Sequence, residues 1–365
     1  MTSPQQVIYT IWRRQGFLGK LGWFALAPVS CGFSLIVRGR NQLYDRRWFT
    51  STQHPSLKII SVGNLTVGGT GKTPMVLWLA LALSARGHKV GILTKGYRGS
   101  NTEVTAVGTH GRPIATPDEV GDEAVMLARL FPGVVIAGRD RVAGAKFARD
   151  QFGLDIIILD DGFQHRRLNR QIDLLLFNGQ RALDNRWLLP AGPFREPLSA
   201  AQRADIILVT KGNRSGNATT LQYSGEAPGN NKPIYYGDMR PLALVSSEQR
   251  EWREWPLSEL SGKRILALTG IADPTSFYHS LQEWGVETAE IIEFPDHHRY
   301  SQTDWHTISA VGRKVDLIVT TEKDLVKLER FPFATRKLVA LRVRLEIGQE
   351  ERLLTDIERQ LMKVE

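Results

Sequence analysis

The sequence predicts an α/β protein: a doubly wound parallel sheet with a second, smaller α/β lobe and an N-terminal membrane-associated helix. Three observations predict it. From Leu57 onward short apolar runs alternate with amphipathic stretches, the pattern of buried parallel strands joined by helices. A glycine-rich loop, Gly68-Gly69-Thr70-Gly71-Lys72-Thr73, sits at the first strand-to-helix junction, which makes the sheet P-loop NTPase-like. An uncharged run, Leu21 to Val37, precedes both, between Arg13, Arg14 and Lys20 on one side and Arg38 and Arg40 on the other.

That amino-terminal run is shorter than the roughly 20 apolar residues of a spanning helix, and it holds Pro28 near its centre. A helix lying in the membrane interface fits better, its basic flanks gripping anionic headgroups. Positive charge continuing past the run argues against a cleaved signal peptide. The structural alternative is an amphipathic helix docked on the protein itself. Residues 1–50 are taken as this segment.

Next come a strand (KIISVG, 58–63), the glycine-rich loop, a helix closed by Gly87 and a strand (KVGILT, 89–94), which together read as βαβ. The alternation predicts a helix over Glu119 to Leu130, a strand over Val134 to Ala137, a helix over Arg141 to Phe152 and a strand over Ile156 to Leu159. Asp173 to Phe177 and Asp205 to Thr210 are further strands. Between Lys211 and Lys232 the chain turns polar and rich in Gly, Asn and Ser, as a linker does. The P-loop domain is therefore assigned to 51–225 and a C-terminal α/β lobe to 226–365. The lobe contains RILALTG, a helix from Pro274 to Trp284, TAEIIEF and DLIVTTEKD.

Composition narrows the function. Among 365 residues Cys31 is the only cysteine, so no internal disulfide forms. Lys and Arg total 47 against 38 Asp and Glu, a net charge of +9 that suits an anionic partner. No RNA-binding signature, zinc spacing or unbroken Lys/Arg tract is present, which leaves phospholipid or a phosphorylated substrate ahead of nucleic acid.

In the glycine-rich loop each residue type has a physical task. Glycines turn backbone N–H groups toward phosphates, the helix N-terminus adds its dipole, Lys72 supplies a point charge and the Thr73 hydroxyl can ligate Mg²⁺. The nucleotide-binding set is thus Thr66, Val67, Gly68, Gly69, Thr70, Gly71, Lys72 and Thr73, with Thr66 standing where the usual first glycine would be. Ile156 to Asp161 is an apolar strand ending in two carboxylates and followed by Gly162-Phe163-Gln164-His165. In a parallel sheet it ends on the same crevice as the P-loop, so Asp160 or Asp161 can hold Mg²⁺ directly or through water. Gly121-Asp122-Glu123 opens a helix, where two acids can offset the dipole or Asp122 can take the proton of an attacking hydroxyl. Pro295-Asp296-His297-His298 does not look like a metal clip, but a His orienting an Asp base is chemically plausible. Lys95 to Gly99 (KGYRG) and Arg195-Glu196-Pro197-Leu198 are suited to anion contact.

Assembled, these residues resemble the tetraacyldisaccharide 4'-kinase family, the lipid A 4'-kinases, along nearly the whole chain. The resemblance rests on seven blocks in order: SVGNLTVGGTGKTP (61–74), KGYRG (95–99), VGDEAVMLA (120–128), LDDGFQHRRL (159–168), FREPLSA (194–200), FPDHHRYS (294–301) and TTEKDLVKL (320–328). It implies ATP and Mg²⁺ as cosubstrates, and as acceptor the 4'-hydroxyl of an acylated glucosamine disaccharide 1-phosphate, giving lipid IVA at the cytoplasmic face of the inner membrane. It implies Asp122 as catalytic base with His297 as its partner. Lys72, Thr73, Asp160 and Asp161 become the nucleotide and metal set, and Gln164, Arg195 and Glu196 match active-site positions. It also implies closure of the two lobes over the nucleotide. No obligate protein partner is inferred.

Two other classes share part of the pattern. Thr210-Lys211-Gly212-Asn213 nearly matches the TKxD loop of GTP-driven switches, but Asn213 replaces the carboxylate that guanine's N1–H and exocyclic amine require. A membrane-docked ATPase that binds a protein partner would need no hydroxyl-activating base, so the role of Asp122 separates it from a kinase.

Overall fold

The P-loop helix starts where the sequence places it because glycines release the chain from the first strand and Lys72, Thr73 and Pro74 open the next turn. In the computed structural model, which describes residues 4–54, 56–179, 185–211, 232–249, 251–333 and 337–362, the elements run in chain order as follows. Helices α1 (Pro4–Trp12) and α2 (Gly16–Asp45) precede β1 (Lys58–Asn64), α3 (Lys72–Ala85), β2 (Val90–Thr94), β3 (Thr105–Thr109) and β4 (Arg112–Pro113). Then come α4 (Pro117–Val120), α5 (Asp122–Leu130), β5 (Val134–Ala137), α6 (Arg141–Phe152), β6 (Ile156–Asp160), β7 (Ile172–Asn178) and β8 (Ile206–Thr210). The rest is β9 (Ile234–Glu248), β10 (Glu251–Trp255), β11 (Arg264–Thr269), α7 (Thr275–Gln282), β12 (Glu287–Glu293), α8 (Gln302–Gly312), β13 (Leu317–Thr321), α9 (Glu322–Leu328), β14 (Leu338–Ile347) and α10 (Glu350–Met362).

The compact units differ from the consecutive spans read from sequence. One comprises Met1–Lys72, Asp155–Asp238 and Ile347–Glu365, the other Thr73–Leu154 and Met239–Glu346. The chain passes from unit to unit inside or at the ends of regular elements, where composition does not change. The expected boundary near residue 225 lies outside the described residues, as do Gly212 and Asn213 of the TKGN segment.

In the first unit β1 pairs in parallel with β6 and β7, β7 with β8, and β8 with the start of β9. Every residue of β7 is buried, as are all but the first of β1, which is why these strands read as unbroken apolar runs. The parallel register sets Val62 opposite Asp160, so the loop after β1 and the carboxylates after β6 emerge at one edge.

Helix α2 is a single 30-residue helix that contains Pro28. Its two sides differ sharply. Gly19, Ser30, Val37 and Asn41 are buried, with Val37 and Phe33 packed into a cluster containing Leu65, Phe163, Leu175, Phe177 and Phe194. Ser30 Oγ donates to the Leu188 carbonyl at 2.6 Å, and Trp23 stands edge-on to Trp187 at 4.9 Å. Opposite them Phe17, Leu18, Leu21, Phe24, Val29, Leu35 and Ile36 are exposed, Phe17 by 79% and Ile36 by 71%. At 100° per residue these seven fall on one side of the helix.

In the second unit β2 pairs in parallel with β5, and β5 antiparallel with β3, whose hairpin partner is β4. Strands β12, β11, β13 and β14 pair in parallel in that order, and β10 pairs antiparallel with β9. Leu266, Leu268, Tyr300, Ile308, Ile318, Leu325 and Leu328 form a core here. The expected helix over Glu119 to Leu130 is two helices. Thr116 and Glu119 close a capping box on α4, and Gly121, at φ 88°, ends α4 and caps α5. A side chain there would bring Cβ to 2.4 Å from the Tyr97 carbonyl oxygen, so only glycine fits the junction.

Candidate active site

The first cluster lies within the first unit, on the loop after β1. Gly68 and Gly71 take positive φ, 107° and 81°, and open space surrounds the places where Cβ atoms of Gly68 and Gly69 would be. Backbone N–H groups there are free to face an anion. Asn64, fully buried at the end of β1, organises the loop. Its Nδ2 donates to Thr70 Oγ1 at 2.8 Å, its Oδ1 accepts from Lys72 Nζ at 3.3 Å, and its carbonyl accepts from Gln164 Nε2 at 2.9 Å. Thr210 Oγ1 donates to the Thr70 carbonyl at 2.9 Å.

Thr66 stands in place of a glycine because the chain is extended there. It bridges Phe194 in antiparallel fashion, with Val67 N donating to the Pro193 carbonyl at 2.9 Å and Arg195 N to the Leu65 carbonyl at 2.7 Å. This pairing delivers Arg195 to the carboxylates after β6. Arg195 Nη1 donates to Asp161 Oδ2 at 2.7 Å, and Lys72 Nζ lies 3.6 Å from Asp161 Oδ1. Asp161 has φ 53°, a left-handed conformation that Asp tolerates better than most residues. Asp160 is buried as the last residue of β6.

Asp160, Asp161 and the Gln164 amide oxygen are all hard oxygen donors, the kind magnesium prefers. Among the described residues no three His, Cys, Asp or Glu side chains gather into a cage. Magnesium held jointly with nucleotide phosphates needs none, since one or two carboxylates suffice. The residues therefore fit Mg²⁺ with a triphosphate.

Glu196 has a different place from the one its sequence neighbourhood suggested. It is 0% exposed, and its carboxylate accepts from Arg40 Nη2 at 2.9 Å, Asn41 Nδ2 at 2.8 Å and Arg203 Nη1 at 2.9 Å. With both oxygens committed to α2 and Arg203, the carboxylate ties α2 to the segment carrying Arg195.

The second cluster lies within the second unit, around the N-terminus of α5. Asp122 is buried, and His297 Nδ1 lies 2.9 Å from its Oδ1 and 3.2 Å from its Oδ2. Lys327 Nζ lies 3.3 Å from Asp122 Oδ2. Burial alone would raise the Asp122 pKa, but the His297 hydrogen bond and the charges of Lys323 and Lys327 outweigh it and hold the carboxyl well below the usual range. His297 has φ 58°. Arg98, expected at an anion, instead donates Nη1 to the His297 carbonyl at 3.1 Å and so braces that turn, while the Tyr97 ring lies 5.1 Å from the imidazole.

Asp122 and His297 also line a cleft of about 790 Å³ whose wall includes Arg112, Arg129, Arg299 and Arg330. Sequence reasoning missed Asn64, Lys323 and Lys327. All three lie inside the blocks SVGN and TTEKDLVKL, where a polar residue beside a motif was the available signal.

A family model described as tetraacyldisaccharide-1-P 4'-kinase matches residues 22–362. The tetraacyldisaccharide 4'-kinase of Syntrophus aciditrophicus is 42% identical over 301 residues, 79% of this chain and 80% of that protein. That of Desulfatibacillum aliphaticivorans is 35% identical over 367 residues, 96% of each. Among solved structures, LpxK from Aquifex aeolicus in complex with ATP matches with a TM-score of 0.74 at 30% identity, covering 93% of this chain and 99% of that one.

Proposed function

This chain belongs to the tetraacyldisaccharide 4'-kinase family, and on that premise we propose how its residues divide the work. The enzyme uses ATP to phosphorylate the 4'-hydroxyl of a tetraacylated glucosamine disaccharide 1-phosphate, the step of lipid A biosynthesis that gives lipid IVA. Lys72, the Gly68–Gly71 backbone and the helix start at Thr73 hold the phosphates. Asp160 and Asp161, with Thr73 and Gln164, hold Mg²⁺, which supplies charge neutralisation when bound. Arg195 carries positive charge beside Asp161 and keeps that carboxylate oriented.

Asp122 takes the proton of the attacking hydroxyl. The O–H bond breaks, the proton moves to the carboxylate, the oxygen bonds to the γ-phosphorus, and ADP leaves with the electron pair of the broken P–O bond. The observation that carries this reading is the pairing at 2.9 Å of a buried Asp with a His 175 positions away. A low-pKa carboxylate is a weak base, which suits a loose transition state in which proton removal comes late.

The outer side of α2 provides the membrane surface. The helix is long enough to cross a bilayer, about 45 Å at 1.5 Å per residue. Its inner side, however, is covered by protein from Gly19 to Asn41. A helix so covered lies along the interface, with its apolar side in lipid and its basic flanks at headgroups. We place the enzyme on the inner membrane's cytoplasmic face, where ATP is present.

The test is label transfer from γ-labelled ATP to purified acylated glucosamine disaccharide 1-phosphate in detergent micelles. Asp122→Asn should cut kcat by roughly 10²–10⁴, the span of a lost general base, with ATP affinity unchanged. Wild-type kcat in that variant would remove Asp122 from the mechanism.

A further inference from the structure

The block TTEKDLVKL resolves into a short device. Thr321 caps α9 and accepts from Asp324 N. Lys323 and Lys327, four residues apart, stack on one side of that helix and both reach the Asp122–His297 pair. Asp324, fully buried, anchors the helix start. It accepts from Tyr300 Oη at 3.0 Å, Gly270 N at 2.9 Å and Thr321 Oγ1 at 2.8 Å, and it holds Lys327 Nζ at 3.0 Å.

Lys323 is the more informative of the two. Its ammonium lies 3.0 Å from Glu123 Oε1, 2.9 Å from Asp296 Oδ1 and 3.2 Å from His297 Nε2. An ammonium donates and cannot accept. Although burial works against its charge, Glu123 first, then Asp122 and Asp296, hold its pKa above the ordinary lysine value. The ring nitrogen facing it must therefore be bare, and the proton of the neutral ring must sit on the other nitrogen, which faces Asp122.

We propose that Lys323 is a positioning residue that sets the tautomer of His297, with Nδ1 protonated and donating to Asp122 and Nε2 accepting from Lys323. His297 then orients Asp122 and does not relay its proton. Nδ1 is already occupied, so the proton taken from the acceptor hydroxyl stays on the Asp122 carboxylate until the product leaves. This rests on the reading of Asp122 as base, but the tautomer can be tested without it.

The experiment uses full-length enzyme in detergent, labelled with ¹⁵N at histidine, at a pH where His297 is neutral. Its resonances are assigned by their loss in His297→Gln. Protonated and bare ring nitrogens separate widely in ¹⁵N shift. The expected wild-type result is a protonated Nδ1 and a bare Nε2; a protonated Nε2 overturns the proposal with no further variant. In Lys323→Met the two nitrogens should move toward a mixture, kcat should fall roughly 10–100-fold, the scale for losing an orienting partner, and KM for ATP should stay put. Lys323→Arg, which keeps a charged donor, should recover most of both signals. An unchanged tautomer in folded Lys323→Met overturns the proposal. A shifted tautomer with unchanged kcat would sustain the tautomer assignment and overturn the positioning role of Lys323 in catalysis.

Discussion

Glu196→Gln separates a positioning role from a chemical one. Glutamine keeps the shape of the side chain but removes the charge that meets Arg40 at 2.9 Å and Arg203 at 2.9 Å, and it turns one acceptor into a donor facing them. Arg203 is largely buried while Arg40 is about a third exposed, at 17% and 36%, so the Arg40 contact is the weaker of the two. Breaking a buried ion pair by removing one partner costs about 3–5 kcal/mol. In a unit of this size that corresponds to a melting temperature lower by roughly 6–20 °C. Thermal unfolding in detergent, followed by tryptophan fluorescence, reads this directly, since Trp23 on α2 sits against Trp187. Limited proteolysis should cut α2 faster in the variant. Well below the transition, kcat should fall less than about tenfold, because the carboxylate touches no reacting group. A variant that melts like the wild type yet loses kcat more than about 100-fold would refute the reasoning and place Glu196 in the chemistry.

Lys72→Ala should raise the Kd for ATP and lower kcat together by roughly 10²-fold or more, since the ammonium meets phosphate charge before and during transfer; nucleotide titration beside turnover checks both. The Asp122 carboxyl is held below its ordinary pKa by His297, Lys323 and Lys327. Its ionised form therefore contributes stability above the unfolded-state pKa, and that contribution fades as pH falls through the lower folded value. Lys327→Met should raise the Asp122 pKa and move the acid limb of kcat toward neutrality, read as the ratio of variant to wild type across pH; a flat ratio would count against the interaction. Replacing Phe17, Leu21 and Phe24 together with serine should weaken liposome binding by about 4–9 kcal/mol if all three side chains enter lipid, with melting unchanged; equal co-sedimentation would move the anchor elsewhere.

Much of the local fold and of the first cluster was legible because local chemistry dictates it. The span Arg141–Phe152 came out of periodicity with the observed ends, since Asp140 caps it and Gly153 closes it in the left-handed conformation. Gly68 to Lys72 was readable because few sequences place glycines and a lysine between a buried strand and a helix. Other features are settled by distant contacts. Gly121 reads as one glycine in a helical stretch until the Tyr97 carbonyl excludes a side chain. Glu196 reads as part of an anion-contacting segment until Arg40 and Asn41 arrive from 156 and 155 positions away. His297 meets Asp122 only through the packing of the second unit, and spacing carries no record of it. The family resemblance, and not the residue pattern, named that pair.

The two-sided character of α2 bears on how this enzyme can be handled. Cutting the chain after residue 47 would be the obvious way to dispense with detergent, but it would also strip Val37 and Phe33 from their cluster and leave Glu196 without Arg40 and Asn41. The greasy side and the structural side belong to one helix and can be edited separately. A soluble version is better sought by repainting the seven outward residues from Phe17 to Ile36 while keeping Gly19, Ser30, Val37 and Asn41, which preserves the seat that holds Arg195.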